Sequence, residues 1–212
     1  MFPTVPQAFA TVATIIALNA TVFLAWRIPL PISWRLLNRY FISVPAIPTS
    51  FSLIGNVFSH QSFTHFGMNM FALYIFGTTL CEQIGSGWFV ALYMSGGVVS
   101  SFGSLAYNVL RARFAVCALG ASGAISAVVG AYAYINPENR LSIIFLPFLV
   151  LKAQTFVALL ACVEVLGVVR GWAMLDHMAH LGGLVWGTAF AHWLVGEMQK
   201  RREQAKRIYG WK

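Results

Sequence analysis

Six apolar runs, at residues 8–26, 63–81, 87–109, 122–135, 142–168 and 176–196, set what this 212-residue chain can become. A helix needs about 20 apolar residues to cross about 30 Å of hydrocarbon. The runs therefore predict an all-α polytopic membrane protein, a bundle of six transmembrane helices. Charged residues make up only 9% of the chain, against about 25% in a soluble domain. That scarcity excludes a disordered chain and leaves too few charges to cover a water-soluble globule. Residues 1–199 read as one membrane domain, followed by a basic tail at 200–212.

The net charge of +8 is concentrated in that tail. Lys200, Arg201, Arg202, Lys206, Arg207 and Lys212 oppose one acid, Glu203, giving +5 there and +3 elsewhere. Such a segment suits anionic lipid head groups; a membrane-bound chain speaks against nucleic acid as the partner. Counting Lys and Arg on the two faces gives nearly equal totals, so the positive-inside rule does not orient the chain. The three cysteines, Cys81, Cys117 and Cys162, are widely spaced and form no disulfide framework. The first run lacks a basic leader and is long for a signal core, so it reads as a retained helix, with a signal anchor as the alternative.

Two segments depart from simple span-and-loop alternation. Residues 27–62 form a long connection with four prolines and a mixture of Trp34, Tyr40, Arg27, Arg35 and Arg39. That mixture suits a loop lying at head-group level. The fourth run, Ser122–Ile135, is short and ends at the turn signal Asn136-Pro137-Glu138. At 1.5 Å per residue it is about 21 Å long. With Asn136 at one surface, Ser122 then lies about 10 Å below the other. Non-helical backbone at that depth must be buried in protein or line a water cavity. The sequence thus predicts a wet pocket with a serine at its floor.

Gly120-Ala121-Ser122-Gly123 puts that serine at a helix N-terminus, where unpaired N–H groups and the helix dipole favour a developing oxyanion. Read alone, the string suits close helix packing better than it suits catalysis. A nucleophilic serine needs a base within reach, and His180 is the best candidate. It opens His180-x-x-Gly183-x-x-x-Gly187, with both glycines on the histidine's own helical face. That stripe lets the sixth helix approach the fourth and points His180 at Ser122. His65 and Asn69, one turn apart on the second helix, can both donate hydrogen bonds and are expensive in lipid. His60 reads as a brace for the long loop, His192 as structural. Asp176 could orient His180 as a triad acid, but its place at the water edge favours solvation of the helix start. A metal reading through Asp176, His177, His180 and His65 lacks an HExxH motif and a general-base glutamate at the right spacing; no metal and no cofactor are expected.

In combination, these elements resemble the rhomboid family of intramembrane serine proteases: His60 and His65-x-x-x-Asn69 on the second helix, Gly120-Ala121-Ser122-Gly123 at the fourth, His180-x-x-Gly183-x-x-x-Gly187 on the sixth. The resemblance covers about residues 50–196. It implies a six-helix rhomboid-like bundle with a long interfacial loop between helices one and two. It further implies Ser122 as nucleophile, His180 as general base in a dyad without an essential acid, and an oxyanion hole from His65, Asn69 and the amides of Ala121 and Ser122. Gly120, Gly123, Gly183 and Gly187 would pack helices around the site. The stretches Asn139–Pro147 and Asp176–Gly183 resemble the mitochondrial, presenilin-associated subfamily, which implies the inner mitochondrial membrane, the alternative being a bacterial or other cellular membrane. Members of that subfamily carry a presequence and an extra helix before the core; neither stands here, which points to a processed, shortened or divergent form. Phe51-Ser52 replaces a Trp-Arg pair of the bacterial pattern, and Ser126 replaces an aromatic that would stack on the base.

The expected activity is hydrolysis of peptide bonds in or beside the transmembrane segments of single-pass membrane proteins, with the lipid bilayer as the other partner. The alternative is a catalytically silent rhomboid-like protein that binds membrane clients. A small transporter would need matched broken helices in two halves, and the sequence shows none.

Overall fold

The computed structural model describes residues 5–143 and 146–210. Eight helices dominate it: α1 (Val5–Ala25), α2 (Pro31–Tyr40), α3 (Ser52–Gly55), α4 (Phe63–Ile84), α5 (Ser86–Leu110), α6 (Ser122–Ile135), α7 (Ala153–Arg170) and α8 (His177–Tyr209). A 3₁₀ turn (Asn56–Phe58) precedes α4, and a two-stranded hairpin, β1 (Arg140–Ile143) and β2 (Leu146–Lys152), precedes α7. The six long helices correspond to the six apolar runs. By length and composition α1, α5 and α7 qualify as membrane spans on their own, while α6 is apolar but short.

The centre of the bundle is α6. It is apolar all round, as a helix buried on every side must be, and nearly every residue from Gly123 to Ala133 is buried. It packs against α4, α5, α7 and α8. The glycine stripe of α8 makes one of these contacts close. A Cβ on Gly187 would run into the Ala127 carbonyl, and one on Gly183 into the Gly123 carbonyl. At the far end, the amides of Gln83 and Asn136 exchange two hydrogen bonds of 2.8 Å, joining the ends of α4 and α6.

The fifth apolar run, expected as one helix over 142–168, is divided. Residues 140–143 and 146–152 pair as antiparallel strands, and helix begins only at Ala153; Ile144 and Phe145 lie outside the described residues. Pro147 accounts for the division, because a proline inside a helix removes a hydrogen bond and clashes with the preceding turn. The pairing slips between Ser142 and Ile143, and such irregularities are where strands tolerate proline. Lys152 closes the base of the hairpin on Glu138 at 2.6 Å. Phe148 on β2 is 82% exposed, so the hairpin presents an apolar side.

The 27–62 connection is partly helical, through α2, α3 and the 3₁₀ turn, and it is tied down. The Arg27 guanidinium lies 3.5 Å from the Phe23 ring centroid and donates to the Gln61 carbonyl at 2.9 Å. Ser43 and Ala118 exchange two backbone hydrogen bonds of 2.9 Å, and Gly120 N–H donates to the Asn56 carbonyl at 2.9 Å. The long connection thereby holds the segment that leads into Ser122. At the other end of the chain, the basic stretch from Lys200 continues α8 as far as Tyr209; Lys212 lies outside the described residues.

Candidate active site

Ser122 is the first residue of α6, preceded by Ala121 at the N-cap. The turn before it depends on Gly120, whose φ of +129° is a conformation that side chains rarely adopt. The ring of His65 lies directly over this glycine: a Cβ there would meet His65 Cε1 at 2.6 Å. Gly123 faces α5, where a Cβ would meet Ser100 Cβ at 2.5 Å. Small residues thus let α5, α8 and His65 close around the serine.

His180 lies one turn into α8, and its Nε2 is 2.8 Å from Ser122 Oγ. The glycine contacts between α8 and α6 fix this approach, because His180, Gly183 and Gly187 share one face. Ser126 touches that stripe, so a Cβ on Gly183 would come within 2.9 Å of its Cβ. The other side of the imidazole is held by Glu164 of α7, whose Oε1 is 3.1 Å from His180 Nδ1. The second oxygen of Glu164 is 2.6 Å from Nδ1 of His177. Asp176 serves elsewhere. It is the N-cap of α8, accepting from Ala179 N–H at 3.0 Å and from Ser104 Oγ–H at 2.5 Å. The acid on the histidine is therefore Glu164 and not Asp176, because the capping geometry turns the Asp176 side chain back onto its own helix start.

The expected oxyanion donors are distributed unevenly. Asn69 Nδ2 donates one hydrogen to the His65 carbonyl at 2.8 Å, and its amide carries a second. The Ser122 amide stands in the first turn, where no intrahelical acceptor exists. The Ala121 amide is engaged: it donates to His60 Nε2 at 3.3 Å. An amide has one hydrogen, so this bond takes Ala121 out of the expected donor set as the site stands. His60 is fully buried and braces the loop as expected, but through the residue beside the nucleophile. His192 bonds Tyr134 Oη at 2.8 Å, away from the site. A cavity of ≈ 30 Å³ lies beside Ser122, lined among others by Asn56, Ser100, Ser101 and Asp176.

Glu164 is the site residue the sequence reading passed over. The signal was present: an acid inside an apolar span is costly and calls for a partner. Its neighbours Val163 and Val165 are 49% and 46% exposed on the outer face, whereas Glu164 is 3% exposed.

A helical membrane protein with a serine at a buried helix start, an imidazole on its hydroxyl and small residues packed around both is the class this fold defines. The rhomboid-domain family model matches residues 49–197, and the chain belongs to the rhomboid family. It is 39% identical over 203 residues to the rat presenilin-associated rhomboid-like protein, mitochondrial, covering 94% of this chain and 52% of that protein. It is 36% identical over 204 residues to yeast Rhomboid protein 1, mitochondrial, covering 94% and 57%. Arabidopsis RHOMBOID-like protein 12, mitochondrial, is 28% identical over 183 residues, covering 78% and 52%. The chain spans about half the length of these curated relatives. The mitochondrial relatives and the apolar helices fit a multi-pass integral protein of the inner mitochondrial membrane.

Proposed function

We propose that this chain is an intramembrane serine endopeptidase that hydrolyses peptide bonds in or beside the transmembrane segments of single-pass membrane proteins. The observation that carries the reading is the 2.8 Å contact between His180 Nε2 and Ser122 Oγ at the start of a buried helix. A serine hydroxyl is a weak nucleophile until a base takes its proton. His180 accepts that proton as Oγ bonds to the scissile carbonyl carbon. The carbonyl oxygen becomes an oxyanion, received by the Ser122 amide, with His65 and Asn69 at the side. The C–N bond then breaks, the leaving amine takes the proton from His180, and an acyl-enzyme remains. Water entering from the loop face gives a proton to His180 as its oxygen attacks the ester; the C–Oγ bond then breaks, His180 returns that proton to Ser122 Oγ, and the acid product leaves, ionising in water.

A fluorophosphonate probe, which reacts with activated serines, should label the purified wild type and neither Ser122→Ala nor His180→Ala. In liposomes holding a single-pass substrate, mass spectrometry should find a cut within or next to its apolar segment, and Ser122→Ala should abolish it with detergent melting nearly unchanged. If Ser122→Ala cuts as well as wild type, the reading fails. A wild type that neither labels nor cuts would support a silent client-binding protein instead.

A further inference from the structure

A carboxylate in the middle of a membrane helix is costly unless it is paired, and Glu164 is paired twice. It is buried, 3% exposed, on a helix whose adjoining residues face outward. Its two oxygens lie 3.1 Å from His180 Nδ1 and 2.6 Å from His177 Nδ1. The two histidines are three residues apart on α8, so both rings reach α7 from one face. Gly167, three residues beyond Glu164, makes room for the second ring, since a Cβ there would collide with His177.

An ionised carboxylate only accepts hydrogen bonds. Two ring nitrogens on it must therefore both be N–H donors. For His180 that fixes the proton on Nδ1 and leaves the Nε2 lone pair facing Ser122 Oγ. The same carboxylate stands ready to balance the positive charge His180 acquires when it takes the serine proton. His177, at the shorter distance, holds the carboxylate in place.

We propose that Glu164 is a positioning residue that completes a Ser122–His180–Glu164 triad, braced by His177. The proposal rests on the reading of Ser122 and His180 as the reacting pair. Glu164 touches no substrate; it acts through the tautomer, orientation and charge of His180.

The test is Glu164→Gln. A glutamine offers one acceptor and one donor, so it cannot receive both Nδ1–H groups. With active sites counted by fluorophosphonate titration, Glu164→Gln should lower kcat for peptide cleavage by at least about tenfold, with KM within about twofold. Glu164→Asp keeps the charge and should recover part of the loss. A merely structural role would reduce the number of titratable sites and leave kcat per site unchanged, and that result overturns the proposal. A measurement on the wild type does not depend on any variant folding. With ¹⁵N-labelled histidines, and His180→Ala to assign the signal, neutral His180 should carry its proton on Nδ1; a proton on Nε2 overturns the proposal. Absence of labelling in the wild type would sink the protease reading, whereas wild-type labelling with an unaltered Glu164→Gln would sink this one alone.

Discussion

Gly120 carries two constraints at once. Its φ of +129° lies where a side chain is strained, and the His65 ring occupies the space a Cβ would need. Gly120→Ala should destabilise the protein by about 1–3 kcal/mol, the usual range for forcing a side chain into such backbone, and should displace His65 from the loop that presents Ser122. A lower detergent melting temperature together with slower fluorophosphonate labelling checks this; wild-type values for both would refute it. At this scale the sequence singled out Gly120, Ser122, His65, Asn69 and His180, because each is an unusual residue for its surroundings. Glu164 met the same criterion, yet no motif drew attention to it. Its pairing with His177 and His180 depends on how α7 and α8 meet, which sequence spacing does not encode.

Among the elements, α6 and α8 are the pair on which the site depends. Gly187 lies against the Ala127 carbonyl, whereas Gly196, further along α8, has nothing within 4 Å of a would-be Cβ. Gly187→Ala must push two helix backbones apart, since neither partner is a flexible side chain. A cost of about 1–3 kcal/mol is expected, with loss of labelling as His180 Nε2 leaves hydrogen-bond range of Ser122. Gly196→Ala should be neutral or slightly stabilising, because alanine is the better helix former. Equal melting temperatures for the two variants would contradict this packing. The glycine spacing made the α6–α8 contact legible beforehand. The hairpin of β1 and β2 was not, since a run of apolar residues reads as helix or strand alike.

Across the whole molecule, the long 27–62 connection and the loop after α5 close over the start of α6. His60 is a buried link between them, accepting from the Ala121 amide. Burial, and secondarily the charge of His65, push its pKa down to about 4 from an ordinary 6.5. The unfolded chain therefore binds the proton first as pH falls. The stability present above about pH 6.5 should decline by up to about 1.4 kcal/mol per pH unit and be fully lost near pH 4. Protonation also turns the acceptor on His60 into a donor, which breaks the bond to Ala121. Melting temperatures measured through that window should fall, and His60→Gln, which keeps an acceptor without titrating, should flatten the curve. A wild-type curve already flat between pH 6.5 and 4 would refute the assignment.

Apolar run length by itself determined that this chain is a helical membrane protein, because hydrocarbon thickness sets the length of a spanning helix. The glycine, serine and histidine motifs carried its membership of the rhomboid family, because a serine at a helix start and residues repeating on one helical face are both local patterns. The tertiary structure decided what those spacings could not. It placed a carboxylate from α7 on His180, gave the Ala121 amide to His60, and turned the start of the fifth run into a hairpin ahead of α7. Each of these is a contact or pairing between groups that lie on different elements or on two sides of a turn. Their distances follow from how the elements dock, and periodicity along a single helix says nothing about docking.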